Sequence, residues 1–241
     1  MKIIIIRHGE PDYEHNTLTE NGFKEINALG EYYQNFEFDE AYTSPLPRAK
    51  LTADAFMKYH KDKPCEIKEW LKEFNYHIKV PYSKNNVISW DLMPKYYDKE
   101  FHLFDYNYYL NHPWLKSGHI KEIYQEITRE FDKILATNGY VREHNIYRVI
   151  DSNKKTIIFF CHFGMMSVLL SHLLNIPYIA LAQQTECQTT GVTKIVTEER
   201  EQGIAQFRML NFSDITHLKV KNIEPSFSGR FCETFNSPER H

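Results

Sequence analysis

Lys2-Ile3-Ile4-Ile5-Ile6-Arg7-His8-Gly9-Glu10 is the stretch that decides how the chain is read. Four consecutive β-branched residues between polar ones predict a strand buried on both faces, as in parallel sheets covered by helices on each side. Arg7 and His8 then stand at its carboxyl end, which in an open α/β sheet faces the crevice where ligands bind. There an arginine offers a fixed, forked cation, and a histidine offers a nitrogen that can attack or carry a proton. Gly9 lets the backbone turn and approach a ligand closely.

The same pattern recurs outward from this strand. Thr19 is a suitable N-cap for a helix running to about Gln34, with Phe23, Ile26, Leu29 and Tyr33 as its inward face. Glu40 to Thr43 predicts a second short strand, and Ser44-Pro45 opens a helix that carries Arg48 in its first turn. From His119 to about Thr137, Ile120, Ile123, Tyr124, Ile127, Phe131, Ile134 and Leu135 repeat at helical spacing, and Asn138-Gly139 supplies the stop. Thr156 to Cys161 is a second wholly apolar strand, followed at once by His162 and by a buried helix from Met165 to Leu174. Gly191 to Val196 and Ile204 to Leu210 look like further strands. Strands alternating with helices predict an α/β three-layer sandwich with a mostly parallel central sheet. With no Gly/Ser/Pro-rich linker and no repeat, residues 1–241 read as a single domain. It carries an insertion at about 74–118 and an extension at about 219–241. Tyr96 to Trp114 holds eight aromatics in nineteen residues, so the insertion either packs down on the domain or hangs over a cleft.

Composition narrows the function. Lys plus Arg (29) against Asp plus Glu (32) leaves a net charge of −3, which gives no basic field for nucleic acid. Ile3 to Ile6 is too short an apolar run for a signal segment or a membrane span. Cys65, Cys161, Cys187 and Cys232 have no CxxC spacing and read as free thiols of a cytoplasmic protein. No HxH, HExxH or Cys/His cluster suggests a metal, and neither a Walker loop nor GxGxxG suggests a nucleotide cofactor. The expected partner is a small molecule, with no nucleic acid and no membrane, and homo-oligomerisation is left open. What remains is two histidines, His8 and His162, at the ends of the two most apolar strands, with Arg7 and Arg48 at the same edge. Four such groups around one pocket would bind a dianion such as a phosphate.

On these residues the chain resembles the histidine phosphatase superfamily, the phosphoglycerate mutase-like family. Arg7-His8-Gly9-Glu10 matches its R-H-G-E signature and Leu18-Thr19-Glu20-Asn21-Gly22 its L-T-x-x-G helix start. Ser44 to Ala49 with Thr52-Ala53 matches S-P-L-x-R-A-x-x-T-A, and Asn211 to Leu218 resembles its closing N-x-x-x-H-L. The resemblance implies a phosphoglycerate mutase-like fold and cofactor-free hydrolysis of a phosphomonoester through a phosphohistidine. His8 would be the nucleophile, with Arg7, Arg48 and His162 holding the phosphate oxygens. In one branch an acid directly follows the second histidine. Phe163 stands there, so Glu73 in Trp70-Leu71-Lys72-Glu73 becomes the candidate general acid, with Glu69 as the alternative. Mutases of the family carry an Asn in the loop after R-H-G-E and an Arg pair beyond the acid. Here the loop offers Glu14 and Asn16 out of step and no Arg pair follows Glu73, which favours hydrolysis. Mutase-type transfer and a non-catalytic phosphate-binding pseudoenzyme are the alternatives.

Overall fold

The computed structural model of the chain describes residues 1–226 together with Thr234 and Asn236. Eight strands form one sheet: β1 (Lys2–Arg7), β2 (Glu40–Thr43), β3 (Glu66–Ile67), β4 (Tyr140–Glu143), β5 (Ile146–Val149), β6 (Thr156–Cys161), β7 (Val192–Glu201) and β8 (Ile204–Asp214). Their order across the sheet is β3-β2-β6-β1-β7-β8-β5-β4. The principal helices are α1 (Glu20–Tyr32), α2 (Pro47–Met57), α3 (Ile120–Thr137), α4 (Phe163–Leu174) and α5 (Tyr178–Gln184).

The expected α/β sandwich is present, and its sheet is mixed. From β3 to β1 neighbouring strands are parallel, joined by helical crossovers. From β1 outward the pairings are antiparallel. Parallel pairing is therefore confined to four strands. The reason is the length of the connections: only Gln202-Gly203 separates β7 from β8, and His144-Asn145 separates β4 from β5. Two residues can reverse a chain but cannot carry it back to start a parallel strand. Gly203 and His144 take the positive φ values, 82° and 55°, that such tight reversals use.

The isoleucine run feeds both faces of the sheet. Ile3 and Ile5 join a core with Phe131 of α3 and Leu169 of α4, whereas Ile4 and Ile6 join Leu29 of α1 and Phe56 of α2. Each such side chain, fully buried, is worth about 1.5–3 kcal/mol. α1 begins as expected, with the Thr19 hydroxyl accepting from the Gly22 N–H. Its inward face differs from the expectation at one position: Phe23 is 41% exposed, and Glu25 is buried in its place. That carboxylate accepts hydrogen bonds from the Glu10 N–H at 2.8 Å and the Thr189 hydroxyl at 2.6 Å, so a polar site needed a position that periodicity gives to an apolar residue.

The aromatic segment packs down. Tyr97, Leu103, Tyr109 and Leu115 lie in the same core as α3 and α4. Tyr109 and Tyr124 both reach the Ser171 hydroxyl at 3.2 Å. The extension at 219–241 opens with the end of a short helix, Thr216–Val220, and from residue 227 it lies outside the described residues but for the two named. No helix among the described residues is long and apolar enough to cross a membrane.

Candidate active site

Strand register builds the site. β1 and β6 run parallel with Arg7 beside Cys161, so His8 and His162 emerge side by side. β2 lies on the other side of β6, and the Ser44 N–H donates to the Phe160 carbonyl at 2.9 Å, which brings the Ser44-to-Arg48 turn to the same edge. The His8 and His162 ring centroids are 5.0 Å apart, and Arg48 Nε lies 3.2 Å from His8 Nε2. Both histidines and Arg7 are buried.

His8 is held by its other nitrogen. Nδ1 lies 2.7 Å from the Gly9 carbonyl oxygen, which can only accept, so Nδ1 carries the proton and Nε2 carries the lone pair. Thr52 locks this turn to α2: its hydroxyl accepts from the Gly9 N–H at 3.0 Å and donates to the Arg48 carbonyl at 2.7 Å. His217 braces the backbone from behind. Its Nε2 is 2.8 Å from the Thr190 hydroxyl, and the Thr190 N–H donates to the His8 carbonyl at 3.1 Å. Burial is the main cause that keeps these rings neutral. It pushes His217 down to about 4 and His162 down to about 2, the latter with help from Arg48 and Arg7. His8 is lowered well below its ordinary value by burial and then by His162, Arg7 and Arg48.

The Ser44 hydroxyl accepts from the Leu46 N–H at 3.3 Å and lies 2.7 Å from His162 Nε2. With its proton given to Nε2, His162 Nδ1 becomes a donor. That atom is buried without a partner among the described residues, an arrangement native structures seldom keep away from binding sites.

Glu73 lies at the same cavity, whose volume is about 440 Å³ and whose lining includes Arg7, His8, Glu73 and Phe163. It is not a solvated carboxylate. Oε1 accepts from the Phe74 N–H at 2.8 Å and, at the start of α4, from the Met165 N–H at 3.1 Å. Burial raises its pKa, opposed by those two N–H groups and by Arg7 and Arg48. Glu69 points elsewhere: its side chain is 74% exposed and pairs with Lys72 at 2.7 Å. Phe163 carries the Arg7 guanidinium over its ring at 5.8 Å. Glu14 and Asn16 are exposed and outside the cavity lining. The structure thus brings together Arg7, His8, Arg48, Glu73 and His162. It adds Tyr13, Trp90, Asp91, Gln183 and Glu186, which carry no motif and reach the cavity only through the fold. Among the described residues no group of three or more His, Cys, Asp or Glu could hold a metal.

Residues 3–80 match the sequence model of the histidine phosphatase superfamily (branch 1). Over that N-terminal third the chain is similar to the histidine phosphatase superfamily. A curated relative, the fructose-2,6-bisphosphatase TIGAR of Xenopus tropicalis, is 36% identical over 69 residues, covering 24% of this chain and 25% of that protein. The chain therefore spans about a quarter of the length of the curated relative it matches. Solved structures extend the likeness to the whole fold. A phosphoserine phosphatase from Entamoeba histolytica superposes with a TM-score of 0.58 at 20% identity, over 90% of this chain and 98% of that one. A mycobacterial glucosyl-3-phosphoglycerate phosphatase gives 0.56 at 14% identity, over 88% and 98%. The α-ribazole phosphatase of Shigella flexneri gives 0.54 at 18% identity, over 89% and 97%.

The glycine at the start of α4 has a local explanation. Gly164 follows Phe163, and a Cβ there would come within 2.5 Å of Trp90 Nε1 and 2.7 Å of Glu73 Oε1. Gly164→Ala should therefore push the carboxylate off its two N–H donors. The helix gains propensity from alanine, which offsets part of the strain. We expect a melting temperature within a few degrees of the parent and hydrolysis reduced roughly tenfold or more, as for a misplaced catalytic group. Equal turnover in the two proteins would show that Glu73 needs no such space.

Proposed function

We propose that this chain hydrolyses a small phosphomonoester through a phosphohistidine on His8, with no metal in the reaction. One observation carries the reading: the Gly9 carbonyl fixes the His8 tautomer so that a nucleophilic lone pair faces Arg48, beside a second buried neutral histidine. In the first step His8 Nε2 attacks phosphorus, a P–N bond forms and the P–O bond to the alcohol breaks. The proton on Glu73 passes to the departing oxygen, and its raised pKa suits that task. In the second step the Glu73 carboxylate takes a proton from water. The water oxygen attacks phosphorus, and the P–N bond breaks to return the lone pair to His8. Arg7, Arg48 and the His162 Nδ1 donor stabilise charge on the non-bridging oxygens in both steps.

Arg48 presently donates to the lone pair that must attack, so substrate binding transfers this donor from His8 to the phosphate. Arg48→Ala should then cost roughly 10²–10³ in kcat/KM, the usual effect of losing one preorganised donor. A loss below about threefold would remove Arg48 from the clamp. Hydrolysis over mutase transfer is supported by the cavity lining, in which Arg7 is the one cation among the described residues. Among the described lining residues no second cation is placed to grip another anionic group. The decisive assay is release of phosphate from an aryl phosphate with and without EDTA. Turnover that survives EDTA and stops with vanadate supports the proposal, and turnover that EDTA abolishes rejects it.

A further inference from the structure

We propose that the leaving group favoured by this site is a small alcohol bearing an ammonium group. The inference rests on the phosphatase reading and concerns the part of the cavity beyond the phosphate. The cavity carries both signs of charge. Arg7 and His8 line it with Arg48 alongside, and Tyr13, Trp90, Asp91, Gln183 and Glu186 line it too. Two of these are carboxylates. Asp91 is exposed, and its side chain makes no hydrogen bond or ion pair among the described residues. Glu186 lies 3.5 Å from Arg7, so part of its charge is already answered.

Two neutral donors of the lining, those of Trp90 and Gln183, are turned into the wall. Trp90 Nε1 donates to the Phe74 carbonyl at 2.6 Å, and Gln183 Nε2 donates to the Trp90 carbonyl at 2.7 Å. Lys95 and Lys99 lie in the insertion but do not line the cavity. A leaving group with a carboxylate or a second phosphate would meet Asp91 and Glu186 there, with no unengaged cation to neutralise it. An ammonium group would meet two carboxylates and the indole of Trp90, surfaces that attract cations. A cavity of about 440 Å³ holds a short amino alcohol but not a large one.

The test compares kcat/KM for phosphoethanolamine, 2-hydroxyethyl phosphate and phosphoserine, with p-nitrophenyl phosphate as the charge-free standard. The first two differ only in ammonium against hydroxyl, and the first and third only by a carboxylate. We expect phosphoethanolamine to exceed 2-hydroxyethyl phosphate and phosphoserine, its alkyl counterparts, by about tenfold each at low salt, with the advantage shrinking as ionic strength rises. Asp91→Asn should narrow the ratio of phosphoethanolamine to p-nitrophenyl phosphate to within about threefold of the ratio for 2-hydroxyethyl phosphate. Asp91→Lys should reverse the order of phosphoethanolamine and phosphoserine. A purely structural role for Asp91 would lower all rates together and leave those ratios in place, which overturns the inference. Hydrolysis of p-nitrophenyl phosphate with no preference for the ammonium substrate also overturns it, while leaving the phosphatase reading intact. No hydrolysis of p-nitrophenyl phosphate would reject both.

Discussion

His8→Ala should reduce hydrolysis of every phosphomonoester by on the order of 10⁴-fold or more, since a nucleophile acts as one unit with its supporting groups. The remaining groups could still bind phosphate, so KM for an aryl phosphate should move far less than kcat. A second readout separates chemistry from folding. Brief incubation with a radiolabelled phosphomonoester, quenched in alkali, should leave label on the parent protein and none on the variant. The label should be lost in acid, as a P–N bond is and a phosphoserine is not. Label retained by His8→Ala would place the covalent step on another residue. His8 sits buried at a strand end with Nδ1 on its own Gly9 carbonyl, so the variant loses a local bond and, between elements, only the contacts with Arg48 and the His162 ring. A cooperative melt close to that of the parent is therefore expected.

Glu73→Gln should have the next largest effect, and its size should depend on the leaving group. General acid catalysis contributes typically about 10²–10⁴-fold. An alkyl phosphate, whose alkoxide leaves poorly, should lose that full factor. A p-nitrophenyl ester, which leaves without a proton, should lose less in its first step. The pH profile gives the sign. Burial raises the Glu73 pKa, so the carboxyl keeps its proton to higher pH than a free glutamate and loses it as pH rises. That loss forms the alkaline limb of kcat/KM. The acid limb reports protonation of His8, and burial with two neighbouring guanidiniums moves it well below an ordinary histidine. Glu73→Gln should erase the alkaline limb and leave the acid limb where it was. An unchanged alkaline limb would assign that titration to another group.

The sequence carries its central half openly. Ile3 to Ile6 and Ile157 to Cys161 are buried on both faces, so every residue in these runs is apolar and the strands need no periodicity to be seen. Because they pair in register, the polar residues that follow them must meet, and His8, His162 and the Ser44-to-Arg48 turn could be placed together before any contact was visible. The rest was hidden for identifiable reasons. β3 is two exposed residues at a sheet edge, too short to leave a pattern. Glu25 breaks the apolar face of α1 because it serves the Glu10 and Thr189 backbone and hydroxyl groups. Glu73 was legible through its motif, but its partners were not: the Phe74 and Met165 N–H groups come from segments 92 residues apart in the second case. Trp90 and Asp91 sit in a segment whose spacing follows neither a helix nor a strand, so only its aromatic content marked it.

That segment serves as wall and foundation at once. Trp90 and Asp91 face the cavity, while Tyr97, Leu103, Tyr109 and Leu115 of the same insertion are fixed in the interior against α3 and α4. Replacing the segment whole would therefore remove keystones of the fold along with the cavity wall. The cavity wall is open to change with the least cost at its outward positions, such as the exposed Asp91, where the aromatic ballast behind stays in place.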